Sequence, residues 1–444
     1  MNMLNGNIRK TIIKFAIPMI LSLITQQLYN VVDMIIVGRF LGINELAAVG
    51  NAGTLVSILV ALSGGLEMGS EVIFARYLGG KKYADIVQGV RSILLFGLIS
   101  GLCISVVGIL LQKPILSWIK VPDYLAADTG IYISIYIAGL AGIFLYDISR
   151  AIIVALGDAR GSMILLIFTS FLNVCLDLLF ICIFHWGVAG AAIATILSQI
   201  IGMFIVLLMV KKKLAPYVSE YKVARFQIDK IKEILTISVP TIIQQLILSF
   251  SAVLLLSVVN PYGSEVISGY MAVNKIMLFG MLIIIGTSQA LSIFTASNLG
   301  AGQTSRIREA YRVCMIFTTI YVACIAILNF LIPQYLVGIF IDTVQNPKAY
   351  LFAKEYLQFS FFTYFFFGWK IINENLLRGF VKMKEYLFSN ISELFIKLFL
   401  TYLFVIPFSL HAFWMGNMLG KLVSFAISMI VIYKGHLFTK KLSA

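Results

Sequence analysis

The sequence predicts an all-α polytopic membrane protein, with twelve transmembrane helices in two six-helix lobes related by a pseudo-two-fold axis along the membrane normal. Three observations carry this expectation. Of 444 residues, 60% are hydrophobic and 12% charged, with a mean hydropathy of +0.97, whereas soluble domains carry about 25% charged residues. Twelve apolar stretches are long enough to cross a hydrocarbon core of about 30 Å. The chain is also written twice. The span from Ile8 to about Ile93 returns from Ile231 to about Cys314, with Pro18 answering to Pro240, Gly42 to Gly263, Gly65 to Gly286, Ala75 to Ala296, Leu78-Gly79 to Leu299-Gly300 and Arg91 to Arg312.

In the first half, helices are expected near 11–38, 46–78, 88–112, 127–156, 160–184 and 188–212. In the second they are expected near 233–259, 266–299, 309–332, 351–380, 384–408 and 411–434. An even number of spans per half makes both halves enter the membrane the same way. The domain reading is an N-terminal lobe over 1–215, a cytoplasmic linker over 216–232 and a C-terminal lobe over 233–444. Duplication of this kind marks secondary transporters, in which two repeats rock against each other. Thr11 to Gly38 is too long for a cleavable signal and lacks a small-residue cleavage site.

The net charge of +14 is topology rather than a nucleic-acid signal. One alternate set of loops carries most of the basic residues, among them Arg9, Lys10, Arg76, Lys81, Lys211 to Lys213, Lys222, Arg225, Arg306, Arg378 and Lys434 to Lys441. The other set has only Arg39, Lys113, Lys120, Lys348 and Lys354. The positive-inside rule then places both termini in the cytoplasm, with the protein multi-pass in the cytoplasmic membrane.

Polar groups at membrane depth are where chemistry is sought, because each costs a few kcal/mol there unless it has a partner, a cavity or a function. In the first span, Tyr29 and Asp33 are four apart and share a helix face. The fifth span repeats the device with Asn173 and Asp177. Two carboxylates, an amide and a phenol form an all-oxygen cluster suited to a hard cation such as Na⁺ or to a shared proton. The second span adds the acidic pair Glu67 and Glu71, and the fourth adds Asp147 and Arg150, spaced for an intrahelical ion pair.

The second half inverts this balance with Lys275, Lys370, Lys397 and Lys421 against Glu374 and Glu393, the glutamates being spaced to pair with Lys370 and Lys397. Lys275, Lys370 and Lys421, with Glu67 and Glu71 opposite, are candidates for a substrate cavity. The aromatic run Phe359 to Trp369 suits either the lining of a promiscuous drug pocket or packing against lipid and neighbouring helices.

Enzymatic readings have little support. The chain has no glycine-rich phosphate loop with its lysine. His185, His411 and His436 are dispersed, and the five cysteines, Cys103, Cys175, Cys182, Cys314 and Cys324, lie in apolar runs without metal-ligand spacing. No cofactor and no metal beyond a coupling Na⁺ is expected.

The string Val32-Asp33-Met-Ile-Ile-Val-Gly38-Arg-Phe-Leu-Gly42 with Leu46-Ala-Ala-Val-Gly50 resembles the first-helix signature of the multidrug and toxic compound extrusion (MATE) family. Ala75-Arg-Tyr-Leu-Gly79, Ala155-Leu-Gly-Asp158, Asn173 to Asp177, Trp186 to Ala194 and Leu377-Arg-Gly379 follow in family order. The resemblance implies a twelve-helix antiporter that exports small organic compounds as H⁺ or Na⁺ runs inward. It implies a cation site on Tyr29, Asp33, Asn173, Asp177 and, in the sixth helix, Thr195, with a helix bend at Pro18. It departs from members that carry coupling acids in the seventh helix, which here reads Pro240-Thr-Ile-Ile-Gln-Gln with no acid. The alternative functions are a flippase for a lipid-linked oligosaccharide and an exporter of an anionic or zwitterionic metabolite. One chain holds both lobes, so a monomer suffices.

Overall fold

The computed structural model describes residues 3–118, 121–218, 226–342, 345–408, 410–435 and 437–438. The middle of the expected linker with Lys222 and Arg225, and also Lys120, His436, Lys440 and Lys441, lie outside the described residues. Among the described residues there is no strand.

The first half comprises α1 (Ile8–Phe40), α2 (Ile43–Gly79), α3 (Tyr83–Trp118), α4 (Asp123–Ala138), α5 (Leu140–Ala155), α6 (Ala159–Asp177) and α7 (Gly187–Val218). The second comprises α8 (Ile228–Val259), α9 (Ser264–Gly300), α10 (Thr304–Leu331), the short α11 (Pro333–Gly338), α12 (Pro347–Gly379), α13 (Met383–Phe408) and α14 (Leu410–Lys434). A π-helical turn, Leu178–Ile183, follows α6, and a 3₁₀ turn, Asn260–Tyr262, follows α8. Most helices run several residues beyond the apolar stretches, because the apolar pattern marks only the part at hydrocarbon depth.

Among the described residues ten helices are individually long and apolar enough to cross a membrane, and α4 with α5 would make one further span, bent by 52°. The fourth span was expected as one helix over 127–156; the structure breaks it at Gly139. Without a side chain there, Ile196 of α7 fills the notch, its Cδ1 lying 2.7 Å from where a Cβ would be. Helix α12, 33 residues long, is not among those ten, and it carries Lys348, Lys354, Glu355, Lys370, Glu374 and Arg378.

Repeated sequence becomes repeated helix endings. After α2, α5, α9 and α12 the chain closes with Lys82 N donating to Tyr77 O (2.9 Å), Asp158 N to Ile153 O (3.0 Å), Gln303 N to Asn298 O (2.8 Å) and Lys382 N to Leu377 O (2.9 Å). Each closure needs a left-handed residue just past the helix, supplied by Lys81 (φ 56), Gly157 (φ 87), Gly302 (φ 72) and Val381 (φ 60). Glycine fills two of the four, and a β-branched valine is the least suited residue for the last.

The chain divides into two compact units, one of Leu21–Ile242 and the other of Met3–Ile20 with Ile243–Ala444. The divisions fall inside α1 and α8, two residues past Pro18 and Pro240, where a proline has removed a helical hydrogen bond. In the first unit the early part of α8 lies on α2. A Cβ at Gly65 would sit 3.1 Å from the Ser238 carbonyl, the Tyr77 hydroxyl donates to Glu233 Oε2 at 2.6 Å, and Lys230 pairs with Asp85 at 2.9 Å.

In the second unit the early part of α1 lies on α9. There a Cβ at Gly286 would sit 3.0 Å from the Ile20 Cα, and Arg306 donates to the Gly6 carbonyl at 3.1 Å. The matched glycines Gly65 and Gly286 therefore serve one purpose, close approach of a proline-broken helix. Tyr356 anchors the core of the second unit, stacked on Trp414 at 5.4 Å and on Tyr270 at 6.0 Å. Within the aromatic run, Tyr364 is fully buried in that core while Phe362 is about half exposed.

Candidate functional site

Helix α1 carries Tyr29 and Asp33 on one face, and α6 ends with Asn173 and Asp177 just before the chain widens into the π turn. Asp177 is fully buried and Asn173 nearly so. The Asp33 and Asp177 side chains lie within hydrogen-bonding reach of each other. From α7, Thr195 Oγ1 accepts from Asn173 Nδ2 at 3.4 Å and donates to the Ala191 carbonyl at 3.1 Å. Tyr132 of α4 lies beside Thr195 and both acids. The five residues expected to form a cation site are thus assembled in one unit.

The cluster is rich in acceptors and poor in donors. Among the described residues, Asp33 Oδ1, Asn173 Oδ1 and both carboxylate oxygens of Asp177 are buried without a hydrogen-bond donor. Buried oxygens left so are costly. Either a hard cation coordinated by them or a proton shared between the carboxylates would relieve that cost. Among the described residues no group of three or more His, Cys, Asp and Glu side chains is placed to hold a metal. A cation here would therefore be held by mixed carboxylate, amide and hydroxyl oxygens.

A cleft with about 80 Å³ of accessible space opens beside this cluster, with Tyr29, Asn173 and Thr195 on its wall together with Asp147 and Arg150. The expected pairing of Asp147 with Arg150 along α5 is not the contact that forms. Arg150 reaches across to Glu67 Oε1 on α2 at 2.9 Å and lies over the Tyr146 ring at 5.5 Å. Asp147 sits beside the Ser63 hydroxyl and the Arg150 charge. Glu71, one turn beyond Glu67, is buried.

The second unit treats its charges differently. Lys370 of α12 pairs with Glu374 at 3.4 Å and with Glu393 of α13. Glu393 also reaches Lys421 of α14 at 3.6 Å. Lys421 donates to Asn417 Oδ1 at 2.6 Å, and Ser424 donates to Glu374 Oε1 at 3.3 Å. Spacing along α13 pointed to a Glu393–Lys397 pair, but Glu393 turns instead to lysines on two neighbouring helices. Lys275 is exposed on α9 and makes no ion pair among the described residues. Of the lysines suggested for a substrate cavity, Lys370 and Lys421 are thus tied to acids and Lys275 stands apart from them.

A profile of the MatE family matches residues 18–179 and 240–403, one match in each half of the chain. This chain belongs to the MatE family. Members of MatE are transporters, so the chain is a multi-pass membrane transporter rather than an enzyme. It is similar to the probable multidrug resistance protein YpnP of Bacillus subtilis, 27% identical over 93% of this chain and 90% of that one. It is also similar to the multidrug export protein MepA of Staphylococcus aureus, 23% identical over 74% of this chain and 73% of that one.

Among solved structures, an outward-facing multidrug resistance MATE transporter of the MOP superfamily matches with a TM-score of 0.89 at 22% identity, over 100% of this chain and 98% of that one. A MOP superfamily transporter from Pyrococcus furiosus, described as having a binding pocket of reversed polarity that suggests a different function, matches with a TM-score of 0.88 at 22% identity, over 99% and 98%. The MatE match and these folds agree with the expected helical class.

Tyr132 is a residue that sequence reasoning left unused. Tyr132 and Tyr136 form another i, i+4 pair in a span, and both are buried. The spacing that singled out Tyr29 with Asp33 would have found them.

Proposed function

We propose that this MatE protein is a secondary active antiporter that exports organic, drug-like compounds in exchange for inward H⁺ or Na⁺, by rocking-type alternating access. The observation that carries the reading is the buried, donor-poor cluster of Asp33, Asn173 and Asp177. An ion site is useful for coupling only if its occupancy changes the protein. Asp33 lies on the same helix as Pro18, whose missing hydrogen bond gives α1 a point at which to bend. Binding a cation or proton draws the two carboxylates together, and that pull acts on the weakened helix. Drug-like substrates are supported by the names of YpnP and MepA.

The basic loops support a cytoplasmic-membrane protein with both termini cytoplasmic. One chain carries both repeats, so the working unit is a monomer. The test is uptake of a fluorescent cationic dye into inverted vesicles under separately imposed Na⁺ and pH gradients. One gradient is expected to drive uptake in the parent and to name the ion, and Asp33→Asn is expected to abolish it. Failure of both gradients with a well-folded parent would overturn the reading.

A further inference from the structure

In the first unit one guanidinium stands beside two acids and is bonded to one. Arg150 of α5 gives its Nη2 to Glu67 of α2 at 2.9 Å. Asp147 lies three residues before Arg150 on α5, yet among the described residues no ion pair joins the two. Asp147 is half-buried and lines the cleft that opens beside the ion cluster. A carboxylate at membrane depth needs a counter-charge, water or a function.

The cleft is small and polar. Its accessible space of about 80 Å³ is too little for a drug-sized molecule and enough for roughly five waters. One wall is made of hydroxyls, Thr169 and Ser170 from α6 with Thr195 and Ser198 from α7. A hydroxyl donates and accepts at once, so hydroxyls and waters together can hand a proton along a chain. Asn173, on the same wall, is 2% exposed; its Nδ2 goes to Thr195 and its Oδ1 has no donor among the described residues. The cleft thus joins a carboxylate at Asp147 to an unpartnered acceptor of the ion cluster.

The charges around the two ends differ. Beside Asp147 are Arg150 and Tyr146 on its own helix, Glu67 and the buried Glu71 on α2, Tyr29 on α1 and Tyr136 on α4, while the lining residues from α7 are uncharged. At the other end Asp33 and Asp177 face each other with Tyr29 and Tyr132 nearby and no basic side chain. A fixed positive charge stands next to Asp147 and none stands next to the pair, so of the two positions the pair is where a proton comes to rest. Asp147 is placed to pass one on.

We infer that Asp147 is a proton relay, exchanging H⁺ between the water of the cleft and the Asp33–Asp177 pair. One proton joins the Asp147 carboxylate, one leaves it, and Asp147 ends ionised again. The assignment rests on the antiport reading above and narrows its ion to H⁺, and its test separates the two. Proton release from the purified protein in detergent, on addition of saturating cationic rhodamine ester, is followed by stopped flow with a pH indicator. Uptake of the same dye into inverted vesicles is measured alongside, under separate pH and Na⁺ gradients.

The parent is expected to release protons as it binds the dye. Asp147→Asn should release the same number about a hundredfold more slowly, within the range that a positioned proton-transfer group contributes. Azide, a weak acid small enough to carry a proton into the cleft, should restore the rate of Asp147→Asn, and Asp147→Glu should keep it; a packing role predicts neither. An unchanged rate in Asp147→Asn, loss of the released protons, or a slow rate that azide does not restore overturns the relay. Dye uptake by the parent under a Na⁺ gradient alone also overturns the relay and leaves the export reading standing. Failure of the parent to move dye under either gradient overturns the export reading itself.

Discussion

In the first unit Asp33 and Asp177 face each other with Asn173 and Thr195 alongside, and four oxygen atoms there have no donor among the described residues. In the second unit Glu393 lies between Lys370 and Lys421, and Glu374 is held by Lys370 and Ser424. Both units grew from one duplicated sequence, and both bury charge where charge is costly. The first leaves its carboxylates under-satisfied, which suits a site that must bind and release. The second closes its carboxylates with lysines, which suits a scaffold. A duplicated fold can thus keep its helices and endings while assigning opposite tasks to its buried acids.

Removing an acid should therefore have opposite consequences in the two units. Glu393→Ala leaves Lys370 and Lys421 without their shared counter-charge and is expected to cost about 3–5 kcal/mol, the usual penalty for breaking a buried pair from one side. Asp177→Asn removes a carboxylate that has no donor and is expected to leave thermal stability unchanged or higher. Thermal unfolding of the purified variants in one detergent checks both. Equal losses would erase the contrast between an open site and a closed network.

A smaller effect sharpens the comparison at the helix ends. Of the four left-handed closures, Lys81, Gly157, Gly302 and Val381, the valine bears the largest steric cost. Val381→Gly is expected to raise stability by about 1 kcal/mol, read as a higher unfolding temperature. A lower one would show that Val381 packing outweighs the backbone strain.

Much of this arrangement was legible in the sequence because it depends on local spacing. Tyr29 with Asp33 and Asn173 with Asp177 share faces whatever their neighbours do, and Pro18 and Pro240 mark the interrupted helices directly. What depended on packing between helices was not legible. Spacing made Lys397 as good a partner for Glu393 as Lys370 is for Glu374, and only the placement of α12 and α14 decides that Glu393 bonds Lys370 and Lys421. Arg150 likewise had Asp147 in reach along its own helix and Glu67 across a gap that the sequence does not show. Gly139 read as one more apolar position until Ile196 was seen to occupy the space it leaves.

The central claim is that the donor-poor acids of the first unit, and not the paired acids of the second, couple ion movement to export. Gradient-driven dye uptake in inverted vesicles, compared between Asp177→Asn and Glu374→Gln at matched amounts of folded protein, tests it most directly. The account predicts that Asp177→Asn abolishes uptake under either gradient while Glu374→Gln retains it. Retained uptake in Asp177→Asn with loss in Glu374→Gln would contradict the account and move coupling to the second unit.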